Sequence, residues 1–302
     1  MLTLVSLNDI VCMFDIHSGG NNMLKVENLC KEYPSFKLNN VSFELPKGYI
    51  MGFIGMNGAG KTTTLKSILN IVQPSSGKVT VLGKPMIGNE VELKQQIGFM
   101  MGEANYYTKN KVRVIADVFK RFYSNWDNEK YLSYLKRFNI DENKNISDLS
   151  TGMRVKLAMT FALSHNAKLY MFDEPTSGLD PIARDEMLDL FHEIVEDGEH
   201  SILFSTHITS DLDKCADFII FMRNGEIIAN STKDDIIAEH VLIQGKKEEF
   251  TPEVKSRLIG YKLNHFAFTG LMRKDTLKSS DTFQVETPNL EDIMIYYTKE
   301  GE

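Results

Sequence analysis

The segment Gly55-Met56-Asn57-Gly58-Ala59-Gly60-Lys61-Thr62 constrains the fold more than any other part of the chain. It has the spacing G-x-x-x-x-G-K-[ST]. The apolar run Tyr49–Ile54 precedes it, and a helical pattern from Lys61 to Val72 follows. Glycines at these places let the backbone turn its N–H groups toward one point with no side chain in the way. The N-terminus of the following helix adds partial positive charge for an anion. Lys61 supplies a point charge that reaches the β- and γ-phosphates, and Thr62 a hydroxyl for Mg²⁺. Gly55 through Thr63 are therefore the candidate cradle for a nucleotide's phosphates. Taken alone, the motif leaves kinases, GTPases and ATPases open.

The surrounding pattern predicts an α/β protein with a parallel-sheet core. Before the loop, Leu24–Leu29 and Val41–Leu45 alternate apolar and polar residues, as half-buried strands do, with Pro34 and Pro46-Lys47-Gly48 as breaks. Gly77–Leu82 and Ile97–Met100 read as further strands. Strand signals then vanish from about 104 to 147, where Val112–Tyr123 and Lys130–Phe138 read as amphipathic helices of an insertion. The alternation resumes with a helix over Met153–Ser164, a strand at Leu169–Phe172, a helix over Ile182–Val195 and a strand at Ile202–Ser205. Phe218–Ile228 reads as a hairpin turning at Asn224-Gly225. Residues 240–302 form a small tail with a strand at Thr282–Glu286 and a final helix, Asn289–Thr298, capped by Asn289. Residues 1–22 read as an N-terminal extension ending in the joint Gly19-Gly20-Asn21-Asn22, which places the start of the folded domain at Met23.

Leu169–Phe172 ends in Asp173-Glu174. An acidic residue at such a strand end holds Mg²⁺, and a neighbouring carboxylate can orient attacking water. Asp173 is the candidate for the first role and Glu174 for the second. A pair of solvated acids is the plain alternative.

Five segments, in this order, resemble the ATP-binding cassette family across about residues 24 to 235. Tyr33 lies upstream of the phosphate loop, where the family stacks an aromatic on adenine. The loop itself follows. Leu149-Ser150-Thr151-Gly152-Met153 is similar to the family's LSGGQ signature, Ser177-Gly178-Leu179-Asp180 to its D-loop, and Ser205-Thr206-His207 to its switch histidine. The resemblance implies a P-loop ATPase core with an antiparallel β subdomain, a helical insertion and a small C-terminal α/β tail. It implies ATP and Mg²⁺ as cofactors, with Lys61, Glu174 and His207 as catalytic residues. Ser150, Thr151, Gly152 and Met153 would face the γ-phosphate held by a second subunit, and Asp180 would lie at the dimer seam. From the residues alone, Ser150 and Asp180 also suit helix caps, and Tyr33 a core or edge aromatic.

Two departures matter. Thr151 and Met153 replace the second Gly and the Gln of the signature. A Met there, with Phe122–Asp127 and Thr287–Met294, resembles the small exporter ATPases of the bacitracin-resistance type. The family's Mg²⁺-touching Gln has no counterpart after Ile97-Gly98-Phe99. Glu103 is the candidate replacement, and a solvated loop acid the alternative.

Composition narrows the partners. A net charge of −7 and a pI near 5.6 argue against nucleic acid. Cys12, Cys30 and Cys215 form no metal or disulfide pattern, which fits a reducing cytoplasm. No apolar run reaches the ~18–20 residues of a membrane helix. The expected partners are a second cassette, with a homodimer favoured because carboxylates and signature share one chain, and a separate membrane permease. That places the chain at the inner face of the cell membrane. The rival reading is a soluble cassette ATPase that assists assembly.

Overall fold

The computed structural model describes residues 22–101 and 108–298. The expected extension therefore lies outside the described residues, apart from Asn22, which opens the first strand. In chain order the elements are β1 (Asn22–Tyr33), β2 (Phe36–Pro46), β3 (Ile50–Ile54), α1 (Lys61–Ile68), β4 (Ser76–Val81), β5 (Lys84–Pro85), α2 (Glu90–Gln95) and β6 (Ile97–Met101). Then come α3 (Val112–Phe122), α4 (Asn128–Arg137), α5 (Thr151–Leu163), β7 (Leu169–Asp173), α6 (Pro181–Val195), β8 (Ser201–Thr206), α7 (Thr209–Cys215), β9 (Phe218–Arg223) and β10 (Glu226–Thr232). The chain finishes with α8 (Lys233–Ala238), β11 (His240–Lys246), α9 (Pro252–Arg257), β12 (Leu258–Leu263), β13 (Ala267–Arg273), β14 (Gln284–Glu286) and α10 (Leu290–Thr298).

Three sheets result. The central one runs β10-β9-β3-β8-β7-β6 and is parallel from β9 to β6, with β10 antiparallel at its edge. Its inner strands are buried on both faces, as Ile50–Ile54 and Leu169–Asp173 are throughout. That is why they read as continuous apolar runs rather than alternating ones. A separate antiparallel sheet, β2-β1-β4-β5, packs its apolar face against one side of the central sheet through Leu24, Val26, Val41 and Phe43. The other side is covered by α5 and α6, which bury Phe161, Leu157, Leu188 and Phe191.

The expected helix at Lys61–Val72 stops at Ile68. Asn70 takes a left-handed φ of 49°, and Ile71 N donates to Lys66 O at 2.9 Å, closing the helix in an αL cap. The hairpin forms as expected, with φ of 49° at Asn224 and 83° at Gly225. Backbone bonds at both ends pin the helical segment that holds α3 and α4. Val112 N donates to Lys144 O at 3.0 Å and Ser147 N to Thr108 O at 2.8 Å.

After His240 the chain builds a sheet in the order β12-β13-β11-β14. Its strands β11, β12 and β13 carry no local signal beyond short apolar stretches. α10 then crosses back, so that Leu290, Ile293 and Tyr296 join the same core as Leu212 and Phe221. Arg223 donates to Tyr297 O at 2.8 Å and holds that helix to β9. No helix among the described residues is long and apolar enough to cross a membrane.

Candidate active site

Parallel pairing decides what meets at the site. β3, β7 and β8 all end at one edge of the sheet, with Ile54 opposite Thr206 and Asp173 opposite Ser205. The loop after β3, the carboxylates after β7 and the histidine after β8 are thereby neighbours, although 111 positions separate Thr62 from Asp173. Ligand sites of open parallel sheets form in this crevice, beyond the carboxyl ends of the strands.

The loop from Gly55 to Gly60 is shaped by its glycines for different reasons. At Gly55 a Cβ would stand 2.3 Å from Met222 O, so the position admits no side chain. Gly58 faces open space, but its φ of 83° is a left-handed conformation that costs other residues energy. Gly60 combines a φ of 113° with close approach to Phe36 and Leu38. Met56, Asn57 and Gly58 are exposed at the loop's crest, Ala59 is buried, and Thr63 is half-buried in the first turn of α1. Lys61 is buried at 6 % exposure and donates to Gly55 O at 2.7 Å.

Two oxygen groups converge at the foot of the loop. Thr62 Oγ1 donates to Asp173 Oδ2 at 2.7 Å, and Ser205 Oγ donates to Asp173 Oδ1 at 2.5 Å. A hydroxyl beside a carboxylate is the hard-oxygen set that Mg²⁺ favours. Glu174 adopts a left-handed φ of 52°, unusual for a residue with a side chain. Its N–H donates to Ser205 Oγ at 3.0 Å. In this conformation its carboxylate sits between two bases: Oε1 lies 3.4 Å from Lys61 Nζ, and Oε2 lies 2.7 Å from His207 Nδ1. His207 is 46 % exposed on its side chain, against 22 % for Glu174.

The other predicted positions are placed as follows. Tyr33 is half-exposed at the end of β1, its ring 6.5 Å from that of Phe36, which itself packs on Gly60. Ser150 caps α5, its Oγ accepting from Met153 N at 3.2 Å. Thr151 is exposed, and Gly152 lies against Leu179, where a Cβ would come within 3.3 Å. Among the described residues, no hydrogen bond or ion pair links Ser150–Met153 to the phosphate loop of the same chain. Asp180 caps α6, accepting from Ile182 N and Ala183 N at 3.0 Å each; these bonds, that from Ala183 foremost, hold its carboxyl below the ordinary 3.8. Glu103 lies outside the described residues.

Ser205, Phe36, Thr176 and Asp211 were not singled out from the sequence as site residues. Ser205 has a signal in the sequence: with Thr206 it is a hydroxyl pair directly after the apolar run Ile202–Phe204, ahead of His207. Asp211 has none, since an acid in the first turn of a helix is commonplace.

A phosphate-shaped loop, a hydroxyl–carboxylate pair and a carboxylate held between a lysine and a histidine define a P-loop nucleotide hydrolase. The family model described as ABC transporter matches residues 38–177. The uncharacterized ABC transporter ATP-binding protein YxlF of Bacillus subtilis (strain 168) is 32% identical over 245 residues, 79% of each chain. The bacitracin transport ATP-binding protein BcrA of Bacillus licheniformis is 28% identical over 82% of this chain and 80% of its own. A solved ATP-binding subunit of an ABC transporter superposes with a TM-score of 0.66 at 26% identity, over 72% of this chain and 92% of the other. The chain belongs to the ABC transporter family as an ATP-binding subunit, and it is an ATPase.

Proposed function

We propose that this subunit energises export through a separate membrane permease, by closing and reopening a cassette dimer around ATP. The observation that carries its hydrolytic part is the Glu174 carboxylate, held between Lys61 and His207 at the open end of the phosphate loop. In this reading Tyr33 stacks on adenine, and the backbone from Gly55 to Thr63 with Lys61 holds the phosphates. Thr62 and Asp173 would hold Mg²⁺, which neutralises phosphate charge when bound; Glu103 is assigned a contact to the same ion. Glu174 orients water toward the γ-phosphorus; a P–O bond to the water oxygen forms as the bond to the bridging oxygen breaks, and ADP, inorganic phosphate and the water's proton are released. His207 donates toward the charge that develops on the γ-phosphoryl oxygens. Ser150, Thr151, Gly152 and Met153 face the γ-phosphate of a partner subunit. Their separation from the loop of their own chain suits that role. Asp180 sits beside them at the seam.

The domain reading follows the same lines. The ATPase domain spans 23–239, its insertion at about 104–147 receives the permease, and 240–302 is a C-terminal subdomain. Residues 1–22 are an extension. Export is favoured by Met153 and by the likeness to a bacitracin transport subunit. The protein would then lie at the cytoplasmic face of the membrane and bind no nucleic acid.

The test is purification of the tagged full chain from solubilised membranes with ATPase measurement. A stoichiometric multi-span protein that stimulates turnover is expected. An active ATPase recovered wholly in the soluble fraction, with no membrane protein, overturns the transport reading and favours an assembly role.

A further inference from the structure

Asp211 lies in the first turn of α7, four residues beyond His207, and its side chain is fully enclosed. Its Oδ2 accepts from two hydroxyls, Thr176 Oγ1 at 2.6 Å and Thr206 Oγ1 at 3.1 Å. Thr176 follows Glu174-Pro175, and Thr206 immediately precedes His207. Thr206 Oγ1 also accepts from Ile208 N at 3.0 Å, so the histidine is bracketed on both sides by one hydroxyl. The other oxygen, Oδ1, has no hydrogen-bond partner and stands 3.8 Å from Arg184 Nε on α6, which is equally without one. A buried carboxylate is costly unless paired and hydrogen-bonded. Here its bonds go to the two turns that carry Glu174 and His207, with a charge on a third segment close by.

We propose that Asp211 is a positioning residue for ATP hydrolysis. By tying Thr176 to Thr206 through one carboxylate oxygen, it sets the separation of the Glu174 carboxylate and the His207 ring. Arg184 balances its charge and joins the start of α6, next to Asp180, to the same point. The proposal rests on the assignment of Glu174 and His207 made above. Among the described residues, neither Asp211 nor its partners Thr176, Thr206 and Arg184 makes a hydrogen bond or ion pair with the phosphate loop, so the effect is expected on turnover rather than on affinity. A shift of about 1 Å in a reacting group is enough to cost a large factor in rate.

The experiment measures kcat and KM for MgATP on the full chain, with any membrane protein that co-purifies, alongside Tm. The proteins are wild type, Asp211→Asn, Thr206→Val, His207→Ala, Glu174→Gln and the Asp211→Asn/His207→Ala double variant. Asp211→Asn is expected to lower kcat about tenfold or more with KM within about twofold. With His207 already removed, the same change should cost less than about twofold, because residues acting as one unit are not additive. Thr206→Val should reproduce the kcat loss, and it serves as the reading should Asp211→Asn fail to fold. Unchanged kcat in a folded Asp211→Asn or Thr206→Val protein overturns the proposal. So does an equal loss with and without His207, which would mark Asp211 as a general stabiliser. Where Glu174→Gln is inactive and Asp211→Asn is normal, only this proposal falls. A Glu174→Gln protein with normal turnover removes the assignment beneath it and the proposal together.

Discussion

Glu174 combines a left-handed backbone at a non-glycine residue with a carboxylate that meets both Lys61 and His207. A left-handed φ at a non-glycine residue is strained and persists only where the surroundings hold it. Here Ser205 does so, accepting the Glu174 N–H on both its hydroxyl and its carbonyl, at 3.0 and 3.2 Å. The strain turns the carboxylate off the strand and into the crevice. Glu174→Gln keeps the shape and the Ser205 bonds but removes the charge that polarises water. Turnover is expected to fall by ~10²–10³, the usual cost of one catalytic electrostatic contact, while ATP binding persists. Single-turnover hydrolysis beside nucleotide-binding titration separates the two effects. Near-normal hydrolysis would take Glu174 out of the mechanism.

At the scale of elements, helix starts do much of the work. α1 opens from the phosphate loop with no side-chain cap, leaving its first N–H groups free for an anion. α5 and α6, by contrast, open with Ser150 and Asp180 as side-chain caps. The two readings of each residue, cap and interface group, are compatible, since a cap sits at the exposed end of its helix. Asp180 yields a signed prediction. Its pKa is lowered in the folded chain, chiefly by the Ala183 N–H, so its contribution to stability is present above the unfolded value and lost as pH falls through the folded one. The Tm difference between wild type and Asp180→Asn should therefore narrow as pH is lowered from neutrality through the carboxylate range. A difference that stays constant would mean that the carboxylate charge contributes nothing to the cap.

The whole molecule is less divisible than its strand order suggests. The C-terminal sheet has a small core of its own around Val241, Ile243 and Phe268. Yet α10 packs back on α7, which follows His207, and on β9, through Tyr297 against Phe221 and Arg223. Ile293, at 2 % exposure, fills that junction. Ile293→Ala should destabilise the protein by about 2–5 kcal/mol, the cost of emptying a well-packed aliphatic site. Denaturation monitored on the ATPase core reads it. A change under ~1 kcal/mol would mean that the last helix is only loosely attached.

Sequence by itself determined the elements whose cause is local. Gly55 to Thr62 demand a strand–loop–helix, Asn224-Gly225 a tight hairpin, and the runs Ile50–Ile54 and Leu169–Phe172 a doubly covered sheet. Hydrophobic period and turn chemistry act over a few residues, so they can be read in one dimension. α1 ends earlier than its apolar pattern because Asn70 closes it in a left-handed cap that the pattern does not mark. Strands β11 to β13 were missed because short half-buried strands depend on what they pack against. Only the tertiary structure decided the strand order that brings Ser205 to Asp173. The same holds for the strained turn that sets Glu174 between Lys61 and His207, and for the burial of Asp211 between two threonines and Arg184. Those contacts join segments far apart in sequence, and their geometry comes from parallel register and packing, which no local spacing encodes.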